Sequence, residues 1–227
     1  ASIEDPGVIK KILTHLGLPT RTSTSWPDNT KPAYSFSYSS KNQIVQVNVI
    51  NNEALGTLAK QIYYTYDALG RRLQKKVVDK VDSTKSFTRK YIYNGSEILA
   101  DLDGSNHVLA TYTHSPLRSD DILAAHISAD GVSAGLASAN GSYFFLKDRI
   151  GSITAIVDGV GQVKQRYDYS VFGKTAKIFD GSGNDITANP AVTTSFMFTG
   201  REFDRETGLY YYRARYYDPS TGRFLQQ

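Results

Sequence analysis

The stretch "YIYNGSEILADLDGSNHVLATYTH", residues 91–114, contains the pattern that decides the fold. Aromatic and aliphatic residues alternate with polar ones in three short runs, which is typical of strands with one buried face. Asn94-Gly95 and Asp103-Gly104 separate the runs, and such dipeptides favour the tight primed turns that join antiparallel strands. The stretch therefore predicts three antiparallel strands joined by hairpins.

The same pattern returns in "YFFLKDRIGSITAIVDGVGQVKQRYDY", residues 143–169. Asp103 aligns with Asp158, and Tyr112 aligns with Tyr167 at the same separation along the chain. Repeats of this length without helical periodicity indicate stacked hairpins that bury their apolar faces against one another. We therefore predict a mainly β fold built from antiparallel hairpins.

The N-terminal residues carry the one clear helical pattern. Asp5 is a favourable N-cap, and Pro6 suits the first helical position. Apolar residues recur on one face up to Leu16, after which Gly17 ends the pattern. We predict an amphipathic helix over residues 1–20 that docks on the sheet or on a neighbouring subunit, because an isolated helix of this length is marginal.

The domain organisation follows from these patterns. Residues 1–20 are assigned to the helix, 21–60 to a linker and the first strands, and 61–227 to the β-sheet domain. Two polar stretches rich in small residues, 115–142 and 180–190, are interpreted as insertions or long loops within that domain.

Several enzyme motifs are matched only in part. Gly131–Gly135 fits G-x-S-x-G, but a nucleophile elbow needs a later histidine, and the last histidine is His126. Gly173-Lys174-Thr175 lacks the first glycine of a phosphate-binding loop. The residues Asp180, Ser182 and Asn184 have calcium-like spacing without the turn glycine and the distal acid, so a plain turn is favoured.

Metal and nucleophile chemistry are also unsupported by composition. The chain has no cysteine, and its four histidines are not paired at metal-ligand spacing. The sequence therefore predicts no catalytic, cofactor-binding or metal-binding residue, no cofactor, and a protein that is not an enzyme. No apolar run approaches the length of a membrane span.

Net charge is +4, and much of it lies in residues 71–90, "RRLQKKVVDKVDSTKSFTRK". Such a cluster can attract an acidic partner or a phosphate backbone. The alternative is a pair of solvated strands with charged outer faces. We favour the strands, and we do not expect nucleic acid as a partner, because no aromatic interleaving or nucleic-acid module accompanies the charge.

The tyrosine-rich stretch "GLYYYRARYYDPSTGRF", residues 208–224, allows two interpretations. If residues 209–217 form one strand, tyrosines line one face, and Arg213 and Arg215 can stack on tyrosine rings on the other. The first interpretation is a surface on which sugars or nucleobases stack. The second is an exposed β-sheet that aromatic and cation–π contacts hold together. The structural interpretation is favoured because similar Tyr-x-Tyr patterns recur in residues 64–72 and 167–174.

Three motifs, "YTYDALGRRL", "LKDRIGSITAIVD" and "FTGREFDRETGLYYYRARYYDPSTGRF", closely resemble the YD-repeat (Rhs) family, and the last resembles its repeat-associated core. The resemblance covers residues 61–227. It implies an antiparallel β-hairpin sheet that spirals into a partial shell. The predicted fold is therefore this sheet together with the one short N-terminal α-helix described above. Family shells encase a toxic C-terminal domain or mediate surface contacts. The family's self-cleavage site lies further downstream, so no catalytic residue is carried over.

The repeats and the resemblance together define a set of structural motif residues. These are Tyr64, Tyr66, Asp67, Gly70, Asp148, Gly151, Tyr167, Tyr169, Gly173, Gly200, Asp204, Gly208, Tyr210, Tyr212, Arg213, Arg215, Tyr216, Tyr217, Asp218, Pro219 and Gly222.

The function expected from these observations is structural. An incomplete YD-repeat sheet leaves open strand edges, here residues 34–50 and 209–225, that can pair with further copies. We therefore predict a non-catalytic bacterial protein, extracellular or on the cell surface, that self-associates into rings or filaments. The alternatives are a fragment of a polymorphic-toxin carrier shell that encapsulates a C-terminal toxin, and a carbohydrate-binding surface module.

The partners expected are therefore the protein itself, a toxin or another Rhs segment, or surface glycans. Residues 3–19 also resemble the C-terminal tail of insertion-sequence transposases. That second resemblance is short, and we derive no DNA-binding function from it.

Overall fold

The computed structural model describes residues 33–52, 57–118 and 120–225. Within these residues the chain is mainly β, as predicted, with sixteen strands and one short α-helix. They fall into two compact units, one ending at Thr88 and the other beginning at Arg89. The helix predicted over residues 1–20 lies outside the described residues, and the predicted domain boundaries stay predictions.

The first unit holds a four-stranded antiparallel meander. Its strands, adjacent in chain order, are β1 (Ala33–Tyr38), β2 (Ile44–Asn52), β3 (Thr57–Tyr66) and β4 (Arg72–Asp79). Val47, Ile62 and Val77 are cross-strand partners and are buried, so they form the apolar face. On the opposite face, the Asn48 amide donates to Ser35 Oγ at 3.1 Å and accepts from Gln61 Nε2 at 3.2 Å.

The second unit holds an eight-stranded antiparallel meander and ends in a smaller four-stranded sheet. The meander strands are β5 (Phe87–Asn94), β6 (Glu97–Leu102), β7 (Val108–His114), β8 (Ile122–Ile127), β9 (Gly141–Lys147), β10 (Ile153–Asp158), β11 (Val163–Tyr169) and β12 (Thr175–Phe179). The smaller sheet, named the C-terminal sheet, consists of β13 (Glu202–Asp204), β14 (Leu209–Tyr211), β15 (Tyr216–Asp218) and β16 (Arg223–Phe224).

The two predicted three-stranded repeats are confirmed. Residues 91–114 lie in β5 to β7, and residues 143–169 lie in β9 to β11. The stretch 115–142 supplies β8, which pairs with both β7 and β9. It also supplies α1 (Ala129–Ser133), whose N-cap Ser128 accepts a hydrogen bond from the Gly131 N–H at 3.0 Å.

One turn geometry joins many of the hairpins. An aspartate accepts hydrogen bonds on Oδ1 from the backbone N–H groups two and four residues later, and the residue three positions on has a positive φ. The turns of this kind begin at Asp67, Asp103, Asp148, Asp158 and Asp180. The Asp in each turn is therefore a structural residue, because it satisfies two donors that the hairpin leaves unpaired.

The predicted dipeptide turns form in only one of the two cases. Asn94 pairs with Glu97, so the two central residues of this turn are Gly95, which has a φ of 58°, and Ser96, one position later than predicted. The prediction for Asp103-Gly104 is wrong. The carboxylate caps a longer turn there, in which Asn106 takes the left-handed conformation at a φ of 73°.

The predicted strand over residues 209–217 is also wrong. The chain reverses at Tyr212–Arg215, where the Tyr212 N–H donates to the Arg215 carbonyl at 2.8 Å and Arg213 has a φ of 63°. Tyr211 therefore pairs with Tyr216 across a hairpin. The return strand predicted after the Asp-Pro-Ser-Thr-Gly turn is confirmed as β16.

The core of the second unit lies on one face of the meander. Ile122, Ile153, Ile156 and Ile178 from its strands are fully buried there, and the chain after β12 contributes a further set of buried side chains to the same cluster. That set is Val192, Phe196, Met197 and Tyr210. None of the described helices is long and apolar enough to serve as a membrane span.

Candidate functional site

The C-terminal sheet and the segment before it contact successive hairpin turns of the meander in the second unit. We call this contact the seam. The turns involved are β7–β8 (residues 115–121), β9–β10 (148–152) and β11–β12 (170–174). All three lie at the same end of the strands, because each links an odd-numbered strand to the next even-numbered one.

Hydrogen bonds fix the seam along its length. Tyr210 Oη donates to the Gly173 carbonyl at 2.9 Å, and Tyr217 Oη donates to the Phe172 carbonyl at 3.0 Å. At the β9–β10 turn, the Thr199 N–H donates to Ser152 Oγ at 3.1 Å. Two of these bonds satisfy turn carbonyls that have no strand partner.

Gly173 lets an aromatic ring lie directly on the β11–β12 turn. It has a φ of 85°, and a Cβ at this position would lie 2.2 Å from Phe198 Cδ1. The Phe198 ring lies between Tyr169, at 5.7 Å between centroids, and Tyr210, at 6.2 Å. The site therefore requires glycine for two separate reasons, the left-handed backbone and the ring above it.

Two arginines of the C-terminal segment bind one aspartate of the β7–β8 turn. Arg201 Nη2 donates to Asp120 Oδ2 at 2.9 Å, and Arg213 Nη2 donates to Asp120 Oδ1. We call these three residues the Asp120 clamp. The Arg201 guanidinium also lies 5.3 Å from the Tyr212 ring centroid, and Tyr212 Oη is 2.6 Å from Thr199 Oγ1.

Backbone strain is concentrated at the clamp. Asp120, Thr199 and Arg213 have φ values of 64°, 51° and 63°, a region that residues other than glycine seldom adopt. The other non-glycine residues with positive φ in the described part of the chain, Asn42 and Asn106, lie in hairpin turns where asparagine is common. The three unusual backbones are therefore held in place by the contacts of the seam.

Buried polar groups hold the core beneath the seam. Gln165 is fully buried, and its side chain donates to the Val192 carbonyl and accepts from the Val192 N–H, each at 2.9 Å. Its amide also donates to Tyr167 Oη. Burial raises the pKa of Tyr167 to about 12, so this hydroxyl remains protonated at neutral pH.

A second buried polar group lies on β5 to β7. Tyr112 Oη donates to Asp101 Oδ2 at 2.9 Å, and Arg89 Nη1 lies 3.3 Å from the same oxygen. Burial raises the pKa of Tyr112 well above its ordinary value. Phe196 packs edge-on against the Tyr112 ring at 5.1 Å, so this group contacts the segment that leads to the seam.

The face of the meander opposite the core, named the outer face, is the second surface of interest. Two rows of cross-strand partners lie on its part from β6 to β10, and no member of these rows is Asp, Glu, Lys or Arg, whereas Arg166, Asp168 and Lys177 lie on β11 and β12. The rows are Ala100–Thr111–His126–Ser142 and Thr113–Ala124–Phe144–Val157. Large apolar side chains of β5, β6, β8 and β9 are 39–49% exposed: Ile92, Leu99, Leu123, Phe144 and Leu146.

Four of the predicted motif residues lie in the first unit. Tyr64 lies under the Arg72 guanidinium, 5.3 Å from it, and Tyr66 Oη donates to the Ile44 carbonyl at 2.7 Å. Asp67 and Gly70 begin and close the β3–β4 turn. These residues fix strand and turn geometry within the first unit.

The remaining motif residues lie in the second unit, and many of them meet at the seam. Tyr167 and Tyr169 stack at 5.9 Å, and Gly200 lies where a Cβ would be 3.4 Å from the Asp120 and Gly151 carbonyls. The others form the turns and strands around the seam: Asp148, Asp204, Gly208, Tyr216, Asp218, Pro219 and Gly222. Their shared role as a motif stays a prediction.

The predicted exposed ladder of tyrosines and arginines is wrong. Tyr210, Tyr211 and Tyr216 are buried, since they belong to a hairpin that packs on the meander. Arg213 pairs with Asp120 instead of stacking on a tyrosine, and the Arg215 guanidinium lies 3.9 Å from the Phe224 ring. Sequence reasoning missed Asp120, which lies 81 and 93 residues before its partners in a stretch interpreted as loop.

The basic stretch 71–90 does not form one charged surface. Arg72 and Lys75 are buried, and Lys75 lies over the Phe87 ring at 5.7 Å. Arg71 pairs with Asp67 at 2.6 Å, and Arg89 pairs with Asp101. The expected charged outer faces are therefore only partly present, because aromatic rings and aspartates contact five of the eight basic residues, Lys85 with Asp82 included.

The plain turn predicted at Asp180 is confirmed. Its Oδ1 accepts from Ser182 and Asn184 backbone N–H groups, and its Oδ2 accepts from the Asn184 side chain at 2.8 Å. The hydrogen bond from the Asn184 side chain, with those from the backbone, lowers the pKa of the Asp180 carboxyl. Among the described residues, no group of three or more His, Asp or Glu side chains is arranged to hold a metal ion.

Comparison with known proteins gives relatives but no family model that matches. The chain is 32% identical over 164 residues to the tRNA nuclease WapA of Bacillus subtilis, covering 71% of this chain and 6% of WapA. It is 23% identical to the double-stranded DNA deaminase toxin A of Burkholderia cenocepacia, covering 85% of this chain and 13% of the toxin. It is 26% identical to the toxin subunit YenC1 of Yersinia entomophaga, and the match covers 86% of this chain and 19% of YenC1.

The fold is also found in a solved toxin complex. The match to the crystal structure of TcdB2-TccC3 covers 85% of this chain and 9% of the solved chain, with a TM-score of 0.59 and 22% sequence identity. The chain spans between 5% and 22% of the length of the curated relatives it matches. At a coarse level the YD-repeat resemblance is supported, since the chain is similar to the toxin subunit YenC1 and shares its fold with TcdB2-TccC3.

The comparisons correct two predictions. The prediction that the protein is not an enzyme is contradicted, because its relatives are named as a tRNA nuclease and a DNA deaminase toxin. They also favour the toxin-carrier alternative over the self-assembling protein and the carbohydrate-binding module, neither of which they support. They give no support to the transposase resemblance of residues 3–19, which lie outside the described residues.

Proposed function

We propose that this chain is a segment of a secreted bacterial toxin carrier, in which a YD-repeat sheet encloses the toxic domain of the complete protein. Relatives named as nuclease, deaminase toxin and toxin subunit support this class of function. The complete protein then delivers an enzymatic toxin, and the sheet described here forms part of the wall around it.

The observation that carries this function is the outer face of the meander. When one face of an antiparallel sheet contacts water, residues along each strand normally alternate between apolar side chains on the core face and polar or charged side chains on the solvent face. The outer face instead exposes Phe144 and Leu146, and its rows across β6 to β10 lack formal charge. Exposed apolar patches of this kind mark surfaces that contact another protein.

The seam supports the same function in a second way. An open sheet needs its hairpin ends fixed if it is to hold a defined curvature against an enclosed domain. Tyr210 and Tyr217 fasten the β11–β12 turn to the C-terminal segment, Thr199 fastens the β9–β10 turn, and the Asp120 clamp fastens the β7–β8 turn. We propose that the seam keeps this part of the wall closed while the outer face contacts the toxic domain.

Photo-crosslinking in the complete protein tests this function. A photo-reactive phenylalanine analogue at Phe144, on the outer face, is expected to crosslink to the toxic domain of the same molecule. The matched control is Val171, which is 89% exposed at a turn tip and is expected to give no such product. Mass spectrometry identifies the products. If the analogue at Phe144 crosslinks only to other copies of the protein, or gives no crosslinked protein product, enclosure of the toxic domain by this face is refuted.

A further inference from the structure

Three features of the second unit coincide at one place. The ion pairs of the Asp120 clamp, the positive φ values at Asp120, Thr199 and Arg213, and the contact between the C-terminal segment and the β7–β8 turn all lie together. The same C-terminal segment also packs on the meander through uncharged contacts, such as Phe198 on Gly173.

We propose that the Asp120 clamp is an electrostatic latch that holds the C-terminal sheet closed in a strained conformation and permits its local release without unfolding of the meander. The latch is a property of this chain alone and needs no enclosed domain. Its test is therefore separate from the test of the carrier function.

The geometry gives the latch its sensitivity to charge. The side chains of Asp120, Arg201 and Arg213 are 29%, 24% and 37% exposed, so water and salt ions reach the pairs. Partly exposed ion pairs are weakened by salt, whereas the buried apolar contacts of the meander are not. Raising the ionic strength is therefore expected to loosen the latch before the rest of the unit.

The strained backbones supply the tendency to open. A left-handed conformation costs a non-glycine residue free energy that is recovered once the residue leaves it, and Thr199 is β-branched, which makes the region less accessible still. Both Thr199 and Arg213 lie on the C-terminal side of the clamp. When the ion pairs to Asp120 are removed, the backbone at Thr199 and Arg213 can therefore leave the left-handed conformation, which favours release of the C-terminal sheet from the β7–β8 turn.

The clamp also joins two segments that are otherwise far apart in sequence. Asp120 lies on the turn that leads into β8, a central strand of the meander, while Arg201 and Arg213 flank β13 and β14. The Asp120 N–H in turn donates to Glu97 Oε1 at 3.1 Å, which fixes the β7–β8 turn to the start of β6. Release at Asp120 therefore frees the C-terminal segment from the β7–β8 turn while the β6 to β8 contacts persist.

Hydrogen exchange followed by mass spectrometry on the full 227-residue chain tests the latch. Asp120→Asn removes the charge with little change of shape, and Asp168→Asn is the matched control at an exposed strand position of the same unit. Asp120→Asn is expected to speed exchange in residues 198–218 by about three- to tenfold, with β9 and β10 unchanged. Asp168→Asn is expected to change neither region.

Salt and charge reversal complete the test. Raising salt to about 1 M is expected to speed exchange of residues 198–218 in the unmodified chain and to have no further effect in Asp120→Asn. The double variant Asp120→Arg with Arg213→Asp restores one pair and is expected to slow exchange again. Equal exchange in Asp120→Asn and the unmodified chain, or equal acceleration in β9 and β10, overturns the latch, as does failure of the salt response to depend on Asp120.

Discussion

Gly173→Ala tests how the C-terminal segment is seated on the meander. The alanine must adopt a φ of 85°, which costs about 1–2 kcal/mol. Its Cβ would also lie 2.2 Å from Phe198 Cδ1. Because the Phe198 ring is confined between Tyr169 and Tyr210, it has little room to move, and overpacking of this kind costs roughly a further 1–3 kcal/mol.

The matched control is Gly161→Ala. Gly161 occupies the same position of its own turn with a φ of 82°, but no atom lies within 4 Å of a Cβ built there. Gly161→Ala is therefore expected to lose only the backbone contribution, about 1–2 kcal/mol, while Gly173→Ala loses about 2–5 kcal/mol. Urea unfolding followed by near-ultraviolet circular dichroism of the tyrosines measures both free energies.

A double-mutant cycle isolates the ring contact. In a Phe198→Ala background the added methyl of Gly173→Ala has space, so the two glycine variants are expected to cost the same within about 0.5 kcal/mol. If Gly173→Ala and Gly161→Ala lose equal free energy in the natural background, the close seat of Phe198 on the β11–β12 turn is wrong.

The remaining predictions concern buried and titrating groups. Gln165→Leu leaves the N–H and carbonyl of Val192 buried without their partner, so unfolding in urea is expected to show a loss of about 2–6 kcal/mol, whereas Gln162→Leu in an exposed turn loses under about 1 kcal/mol. The pKa of Asp180 in the folded protein lies below its ordinary value of 3.8, so the ionised carboxylate stabilises the fold above pH 3.8, and this contribution is lost as the pH falls through the folded pKa. The difference in melting temperature between the natural chain and Asp180→Asn is therefore expected to shrink between pH 6 and pH 2.5. The pKa of Tyr167 is raised from 10.0 to about 12, so stability is expected to fall between pH 10 and pH 12 and to fall less in Tyr167→Phe, as measured by urea midpoints; equal slopes would argue against a buried hydroxyl.

The hairpins were predictable because their signals are local. Alternating apolar residues in 91–114 and 143–169 specify strands wherever one face is buried, and turn residues such as Asn94-Gly95 fix where the chain reverses. The Asp-x-x-Gly turns act in the same way, since each aspartate caps donors within four residues of itself. Strand order then follows the chain because neighbouring hairpins are the nearest partners.

The seam was not predictable because its signals are distant in sequence. The stretch Tyr210–Tyr217 contains no Gly, Pro or Asn, so nothing local indicates that it reverses at Arg213. That reversal is held by the ion pair to Asp120, 93 residues earlier. The buried Tyr210 hydroxyl likewise finds its acceptor at Gly173, 37 residues away. Aromatic content alone therefore predicted an exposed ladder where tertiary contacts produce a buried hairpin.

Electron cryomicroscopy of the complete protein tests the central claim most directly. The carrier function predicts a shell in which the outer face, marked by Phe144 and Leu146, is turned towards internal density from the enclosed domain. The turns of the seam are then found closed by the C-terminal sheet. A map in which Phe144 and Leu146 face bulk solvent, with the toxic domain outside the wall, would contradict the account.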